Sequence, residues 1–336
     1  MSPTTATDAA VDSESLRQFQ TRAELLIAEL SKVVVGQQAL IQSVVRTIFC
    51  GGHGLITGVP GLAKTLLIRS LAKALHVSFS RVQFTPDLMP SDITGTDIIE
   101  EDEVTGKRQL VFLPGPIFAN LILADEINRT PPKTQAAMLQ VMQEHQVTIG
   151  TRTYVLPEPF HVFATQNPLE MEGTYVLPEA QADRFMFGIP CDYPMPAEEE
   201  HMVRMTTAGT LPEASPVLTA QEILEGQQIV RAMPVSNEVI AYAVRLAGFS
   251  RPKNPDAPDY IKEMVAWGAG PRASQYLVLG AKAEAALSGR VCADYEGVRA
   301  VAREVLGHRI LSNFKARAQK VGPFDLVERL LKDVSE

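Results

Sequence analysis

The chain has 336 residues, 46% hydrophobic and 21% charged, an ordinary composition for a soluble globular protein and long enough for two domains with a well-buried core. A net charge of −8 argues against bulk electrostatic attraction to nucleic acid or to an anionic membrane. No apolar run approaches the roughly 18 residues of a membrane span. Cys50, Cys191 and Cys292 lack CxxC spacing, so they indicate neither a disulfide framework nor a zinc site and read as buried structural thiols.

Residues 1 to 13 are small and polar, with no basic n-region or apolar core of an export signal. They read as a disordered tail on a cytoplasmic protein. Leu16, Phe19, Leu26 and Leu30 recur at near-helical spacing, Val33-Val34-Val35-Gly36-Gln37 follows, and a second helix is expected from Ala39 to Phe49.

Leu55-Ile56-Thr57 is short, apolar and β-branched, as a buried parallel strand should be, and the run from Leu66 to Leu75 has helical spacing. Between them lies Gly58-Val59-Pro60-Gly61-Leu62-Ala63-Lys64-Thr65, which reads as a phosphate-binding loop. Gly58 and Gly61 allow the backbone to approach an anion, so that N–H groups and the helix N-terminus, including that of Leu66, face phosphate oxygens. Lys64 supplies a positive charge to the β- and γ-phosphates, and the Thr65 hydroxyl suits Mg²⁺. Ala63 stands where the strict pattern has Gly. Carrying only a methyl group, it is expected to sit in the first helical turn.

Val77 to Phe84 alternates as a strand does. Asp97-Ile98-Ile99 and Gln109-Leu110-Val111-Phe112 flank a charged turn, in which Glu100, Glu101, Asp102 and Glu103 oppose Lys107 and Arg108, and predict a hairpin. Leu121-Ile-Leu-Ala124 is another buried strand, ending in Asp125-Glu126. Carboxylates at the carboxyl end of a parallel strand lie beside the phosphate loop of a neighbouring strand, so Asp125 suits holding Mg²⁺ through water and Glu126 suits polarisation of an attacking water. Val147-Thr-Ile149 and Thr153-Tyr-Val155 predict a second hairpin. His161 to Asn167 is a strand ending in a polar residue, and Phe185 to Ile189 is the last. Tyr193-Pro-Met-Pro196 marks a boundary, giving an α/β nucleotide-binding domain over 14–193 and a lid over 194–336. Beyond it only helical patterning is found, as in Asn237–Leu246 and Ser274–Ser288 around a Pro-rich connector at 251–258, which predicts a small helical bundle.

With both nucleotide motifs, two hairpins and a helical second domain, the chain resembles the MoxR family of AAA+ ATPases over about residues 30 to 330. The resemblance is carried by Val35-Gly36-Gln37, the phosphate loop, Leu123 to Arg129, Ala164-Thr-Gln-Asn-Pro168, Leu177 to Phe185, and Gly270-Pro-Arg-Ala-Ser274. It implies a P-loop α/β fold with a five-stranded parallel sheet in the order 5-1-4-3-2, an all-α lid, and subunits in a ring, usually a hexamer. It also assigns roles. Asn167 senses the γ-phosphate and orients water, Arg184 is a finger reaching the neighbouring subunit's nucleotide, and Arg272 is a lid arginine touching the phosphates from above. Val34, Val35 and Gly36 line the adenine pocket, and Arg129 is a weaker candidate for a second inter-subunit contact.

The resulting expectation is a ring-forming, Mg²⁺-dependent ATP hydrolase that acts as a chaperone on protein partners. Family resemblance points to von Willebrand factor A domain proteins as clients. A nucleic-acid motor is disfavoured because neither hairpin shows a basic, aromatic-studded tip. The ATPase subunit of a metal chelatase, which shares the hairpin logic, is a rival to the chaperone. A nucleotide-dependent scaffold without turnover is disfavoured, because every hydrolytic residue is present.

Overall fold

The computed structural model describes residues 12–101, 108–168, 174–209 and 212–335. The tail through residue 11 and the charged turn of the first hairpin, 102–107, lie outside the described residues.

Five parallel strands form the central sheet: Gly54–Thr57 (β1), Phe79–Gln83 (β2), Leu121–Asp125 (β3), His161–Gln166 (β4) and Phe187–Pro190 (β5). Their spatial order is β2-β3-β4-β1-β5, which read from the other edge is the expected 5-1-4-3-2. Register aligns the carboxyl ends, with Thr57 opposite both Gln166 and Pro190 and with Gln83 opposite Asp125. The loops leaving β1, β3 and β4 therefore open at the same edge of the sheet.

Alternation along each strand divides the core into two clusters. Ile56, Leu121, Leu123 and Phe163 belong to one, while Leu55, Ile122, Ala124, Val162 and Ala164 belong to the other. Helix Pro132–Glu144 covers the second face through Met138, Leu139 and Met142. Helix Lys64–Ala74 covers the first face through Leu67, Ile68 and Leu71, together with Ser13–Val33 and Gln38–Phe49. The first helix starts at Ser13, capped by the Asp12 carboxylate, which accepts from the Ser15 amide.

The two hairpins pair Gly95–Glu101 with Arg108–Pro114 and Gln146–Ile149 with Arg152–Val155. They lean on each other through Phe112 and Tyr154, stacked with ring centroids 4.1 Å apart. The outer part of the first hairpin leaves Ile99 and Leu110, directly opposite in register, 71% and 64% exposed.

From Pro196 onward the chain is helical, with Ala220–Ala232, Asn237–Phe249, Pro271–Leu287, Tyr295–Leu306 and Pro323–Asp333 the longer helices after Pro196–Thr207. One detail departs from the sequence expectation. Val265–Trp267 pairs antiparallel with Leu311–Ser312, a ribbon too short to show a two-residue period. The lid does not sit apart from the sheet. Its helices share the first cluster with Ser13–Val33 and Gln38–Phe49, and Arg46 on the latter bonds Glu284 at 2.8 Å and Glu304 at 3.1 Å. Cys50 and Cys191 are buried, but Cys292 is exposed, contrary to its reading as a buried thiol. Among the described residues no helix is long and apolar enough to cross a membrane.

Candidate functional site

The carboxyl ends of β1, β3 and β4 converge on a cavity of about 460 Å³, lined by residues 60 to 66, Arg81, Asp125, Glu126, Thr165 and Asn167. Asp125, Glu126, Thr165 and Asn167 arrive at or next to the carboxyl ends of two buried parallel strands, and Arg81 reaches in from the middle of the neighbouring β2. Pro60, Gly61, Leu62, Ala63, Lys64, Thr65 and Leu66 form one wall as the loop after β1 turns into helix Lys64–Ala74.

Two positions of this loop differ from expectation. A Cβ on Gly58 would lie 2.4 Å from the Cys191 carbonyl oxygen, so glycine is required there by packing against the chain beyond β5. Ala63 does not lie in the first turn. It is the N-cap residue, at φ 57°, in the left-handed region that costs an L-residue roughly 1–2 kcal/mol. Ala63→Gly is therefore expected to hold or raise the thermal midpoint, the relieved strain being partly offset by the greater freedom of Gly in the unfolded chain. A clear fall in midpoint would show that the methyl contributes packing that outweighs the strain.

Lys64 donates from Nζ to the Gly58 carbonyl. Burial pushes its pKa below the ordinary lysine value, and the nearby Cys191, Asp125 and Glu126 oppose that shift. Asp125 is buried at the end of β3. Its Oδ1 accepts from the Thr165 hydroxyl at 2.6 Å, and its Oδ2 accepts from Arg81 Nη2 at 2.6 Å and Nε at 3.1 Å. Glu126 follows at φ 57°, its amide donating to Thr165 Oγ1 at 2.8 Å. A non-glycine residue held in this region beside a cavity is strain of the kind found at functional sites. Its Oε2 accepts from Gln83 Nε2 at 2.7 Å and pairs with Arg129 Nη1 at 3.2 Å. Arg129, a candidate for contact with a neighbour, is thus engaged with Glu126 of its own chain. Asn167 is buried at the cavity wall.

Thr65 and Asp125 offer a hydroxyl and a carboxylate, hard oxygen donors of the type that Mg²⁺ takes. The loop backbone and Lys64 suit a polyphosphate, so the residues present fit a magnesium nucleotide.

Other predicted site residues lie elsewhere. Val34 is buried in the first core cluster, and a Cβ on Gly36 would meet Pro194 and Glu198 at 2.9 and 2.8 Å. Val34, Val35 and Gly36 do not line the cavity; the next residue, Gln37, donates to the Asp192 carbonyl at 2.9 Å, in the segment beyond β5 against which Gly58 packs. Val59 packs against the first core cluster. Arg272 departs most from expectation. It does not lie above its own chain's phosphate loop, because the lid is anchored to the first core cluster and none of its described residues lines that cavity. Instead Arg272 shares with Arg184 and Arg231 a separate cavity of about 250 Å³, beside Gly51, Gly52, His53 and Tyr276. It pairs weakly with Asp183 at 3.5 Å, and the Arg184 Nε is buried without a hydrogen-bond partner.

Sequence reasoning missed Arg81, Gln83 and Thr165. Two polar residues two apart on a predicted strand, Arg81 and Gln83, were the available signal, since they share a face and approach a strand's carboxyl end. It also missed Arg309, which clamps the Arg184 loop. Its Nε donates to Asp183 Oδ1 at 2.8 Å, and its Nη2 donates to the carbonyls of Asp183 and Phe185 at 2.9 and 2.6 Å.

Comparison with known proteins follows the same division. The profile of the ATPase family associated with various cellular activities (AAA) matches residues 53–187, and that of the AAA lid domain matches residues 259–330. The chain is 41% identical over 313 residues to Chaperone MoxR1 of Mycobacterium tuberculosis, covering 93% of this chain and 81% of that protein. It is 31% identical over 304 residues to Protein MoxR of Paracoccus denitrificans, covering 84% and 86%. The crystal structure of a candidate ATPase from Cytophaga hutchinsonii superposes with a TM-score of 0.88 at 38% identity, covering 96% of this chain and 97% of that one.

Proposed function

The chain belongs to the MoxR-type AAA+ ATPases, and on that premise we propose that it is a magnesium-dependent ATP hydrolase that assembles with copies of itself and acts as a chaperone on protein partners. The observation that carries the reading is the separation of the catalytic groups. Lys64, Thr65, Asp125, Glu126 and Asn167 meet in one cavity, while Arg184 and Arg272 stand together in another. A second copy presenting its arginines would complete the first cavity.

In this reading Mg²⁺, held by Thr65 and Asp125, supplies charge neutralisation at the phosphates. Lys64 and the loop amides bind and orient the β- and γ-phosphates. Glu126 takes up a proton from the attacking water as that water bonds to phosphorus, Asn167 orients it, and the oxygen bridging to ADP departs. Arg184, carried to the γ-phosphate of the adjoining copy, stabilises charge that develops in the transition state, and Arg272 beside it binds the same phosphates. This places Arg272 in trans, a revision of its expected role above its own nucleotide.

The relative named as a chaperone supports action on proteins. So do Ile99 and Leu110 on the first hairpin, an apolar outer face better suited to a polypeptide than to a phosphate backbone. The hexameric ring, a cytoplasmic location and clients bearing von Willebrand factor A domains belong to this proposal on resemblance.

Mixing subunits tests it. Arg184→Ala and Glu126→Gln proteins are each expected to hydrolyse ATP poorly. In mixed assemblies, some interfaces pair an intact Glu126 with an intact Arg184, so the mixture should regain activity that neither variant shows alone. Co-assembly without recovery, or full activity of monomeric Arg184→Ala, would remove the finger and the obligate assembly from the account.

A further inference from the structure

Arg81 is the one cation besides Lys64 among the described residues that line the phosphate cavity, and its guanidinium is committed to Asp125. We propose that Arg81 is a built-in counter-ion that competes with the divalent cation for Asp125, so that metal binding and Arg81 release are the same event. The inference rests on Asp125 as a metal-holding residue.

The contacts set the competition. Asp125 has two oxygens in a buried position, of which Oδ1 is taken by the Thr165 hydroxyl and Oδ2 by two nitrogens of Arg81. A cation held at this carboxylate, directly or through its water, would compete with Arg81 for Oδ2 or, at the remaining lone pair of Oδ1, face the guanidinium charge across the same carboxylate. Arg81 can move, because its side chain is 48% exposed while that of Asp125 is 13% exposed. Displacement would not be silent. Arg81 Nη2 also donates to Gln83 Oε1 at 2.6 Å, and Gln83 in turn holds Glu126. Release of Arg81 therefore frees one end of the side chain that fixes the water-activating carboxylate. The guanidinium stays in the cavity, within reach of an anion bound beside Lys64.

The test is Mn²⁺ binding to the full-length protein without added nucleotide, followed by electron paramagnetic resonance and by the thermal midpoint. Arg81→Gln removes the competing charge and is expected to bind Mn²⁺ about 10-fold or more tightly than the parent. Its midpoint should start below the parent's, because Asp125 has lost its counter-ion, and rise on Mn²⁺ addition more than the parent's does. Arg81→Lys keeps the charge and should stay near the parent in affinity. Equal Mn²⁺ affinity in the parent and Arg81→Gln, or no binding by either, overturns the inference. Adding Asp125→Asn to Arg81→Gln should abolish the gain. If the double variant binds Mn²⁺ as tightly as Arg81→Gln, the metal is held elsewhere and the assignment of Asp125 falls too. If Asp125→Asn weakens binding while Arg81→Gln leaves it unchanged, only the role of Arg81 falls.

Discussion

Glu126→Gln is expected to leave ATP binding intact and to cut turnover by about 100-fold or more, the usual worth of a positioned general base. The structure makes this a clean substitution. The Glu126 amide bonds the Thr165 hydroxyl and would do so in either variant. The left-handed backbone constrains Glu and Gln alike, and a Gln carboxamide oxygen can still accept from Gln83. What disappears is the ability to take a proton, along with a partly exposed pairing to Arg129 of little worth. Measurement of nucleotide affinity by titration and of phosphate release under saturating ATP separates the two effects. Turnover within a few-fold of the parent would mean that another group activates the water.

Arg309→Ala is expected to lower the unfolding free energy by about 3–5 kcal/mol, as breaking a buried ion pair by removal of one partner does. The Arg309 side chain is only 2% exposed, and its nitrogens serve the Asp183 carboxylate and the backbone carbonyls of Asp183 and Phe185. Truncation would take the Arg309 donor from the Asp183 carbonyl and leave the Asp183 carboxylate only its weak pairing with Arg272, at the point where lid and sheet domain meet; the Phe185 carbonyl would keep His308 Nε2, 3.1 Å away. The Tyr276 ring would also lose the guanidinium that lies 5.1 Å from its centroid. Urea unfolding followed by circular dichroism reads the loss directly. A change under 1 kcal/mol would show that water or a shifted side chain replaces the arginine.

The two nucleotide motifs were legible because each is a short stretch of chain with its chemistry in consecutive residues. The loop from Gly58 to Thr65 and the pair Asp125-Glu126 each sit at the end of an apolar strand, and parallel pairing brings such ends together whatever the exact register. The sheet order followed from family resemblance. Arg81, Gln83 and Thr165 escaped because their roles depend on which strand lies beside which, and the sequence around each is ordinary for a strand. Arg309 escaped for a different reason. A lone arginine after an amphipathic helix reads as a solvated terminus, and only the approach of the Arg184 loop from 123 to 126 residues away makes it a clamp. The Arg272 misplacement has the same origin. Helical periodicity identified the lid as helical, but not the face of the sheet domain against which it packs.

The leading helix, Ser13–Val33, is wedged between the sheet domain and the helical region that follows Pro196. Phe19 meets Gly226, Glu29 accepts from the Ser215 amide at 2.8 Å, and Arg22 pairs with Glu222 at 3.2 Å. These partners are encoded about 200 residues later, and at about 5–20 residues per second a ribosome needs roughly 10–40 s to deliver them. Throughout that interval one side of this helix is made but uncovered, while its other side already has its neighbours in Gln38–Phe49 and Lys64–Ala74.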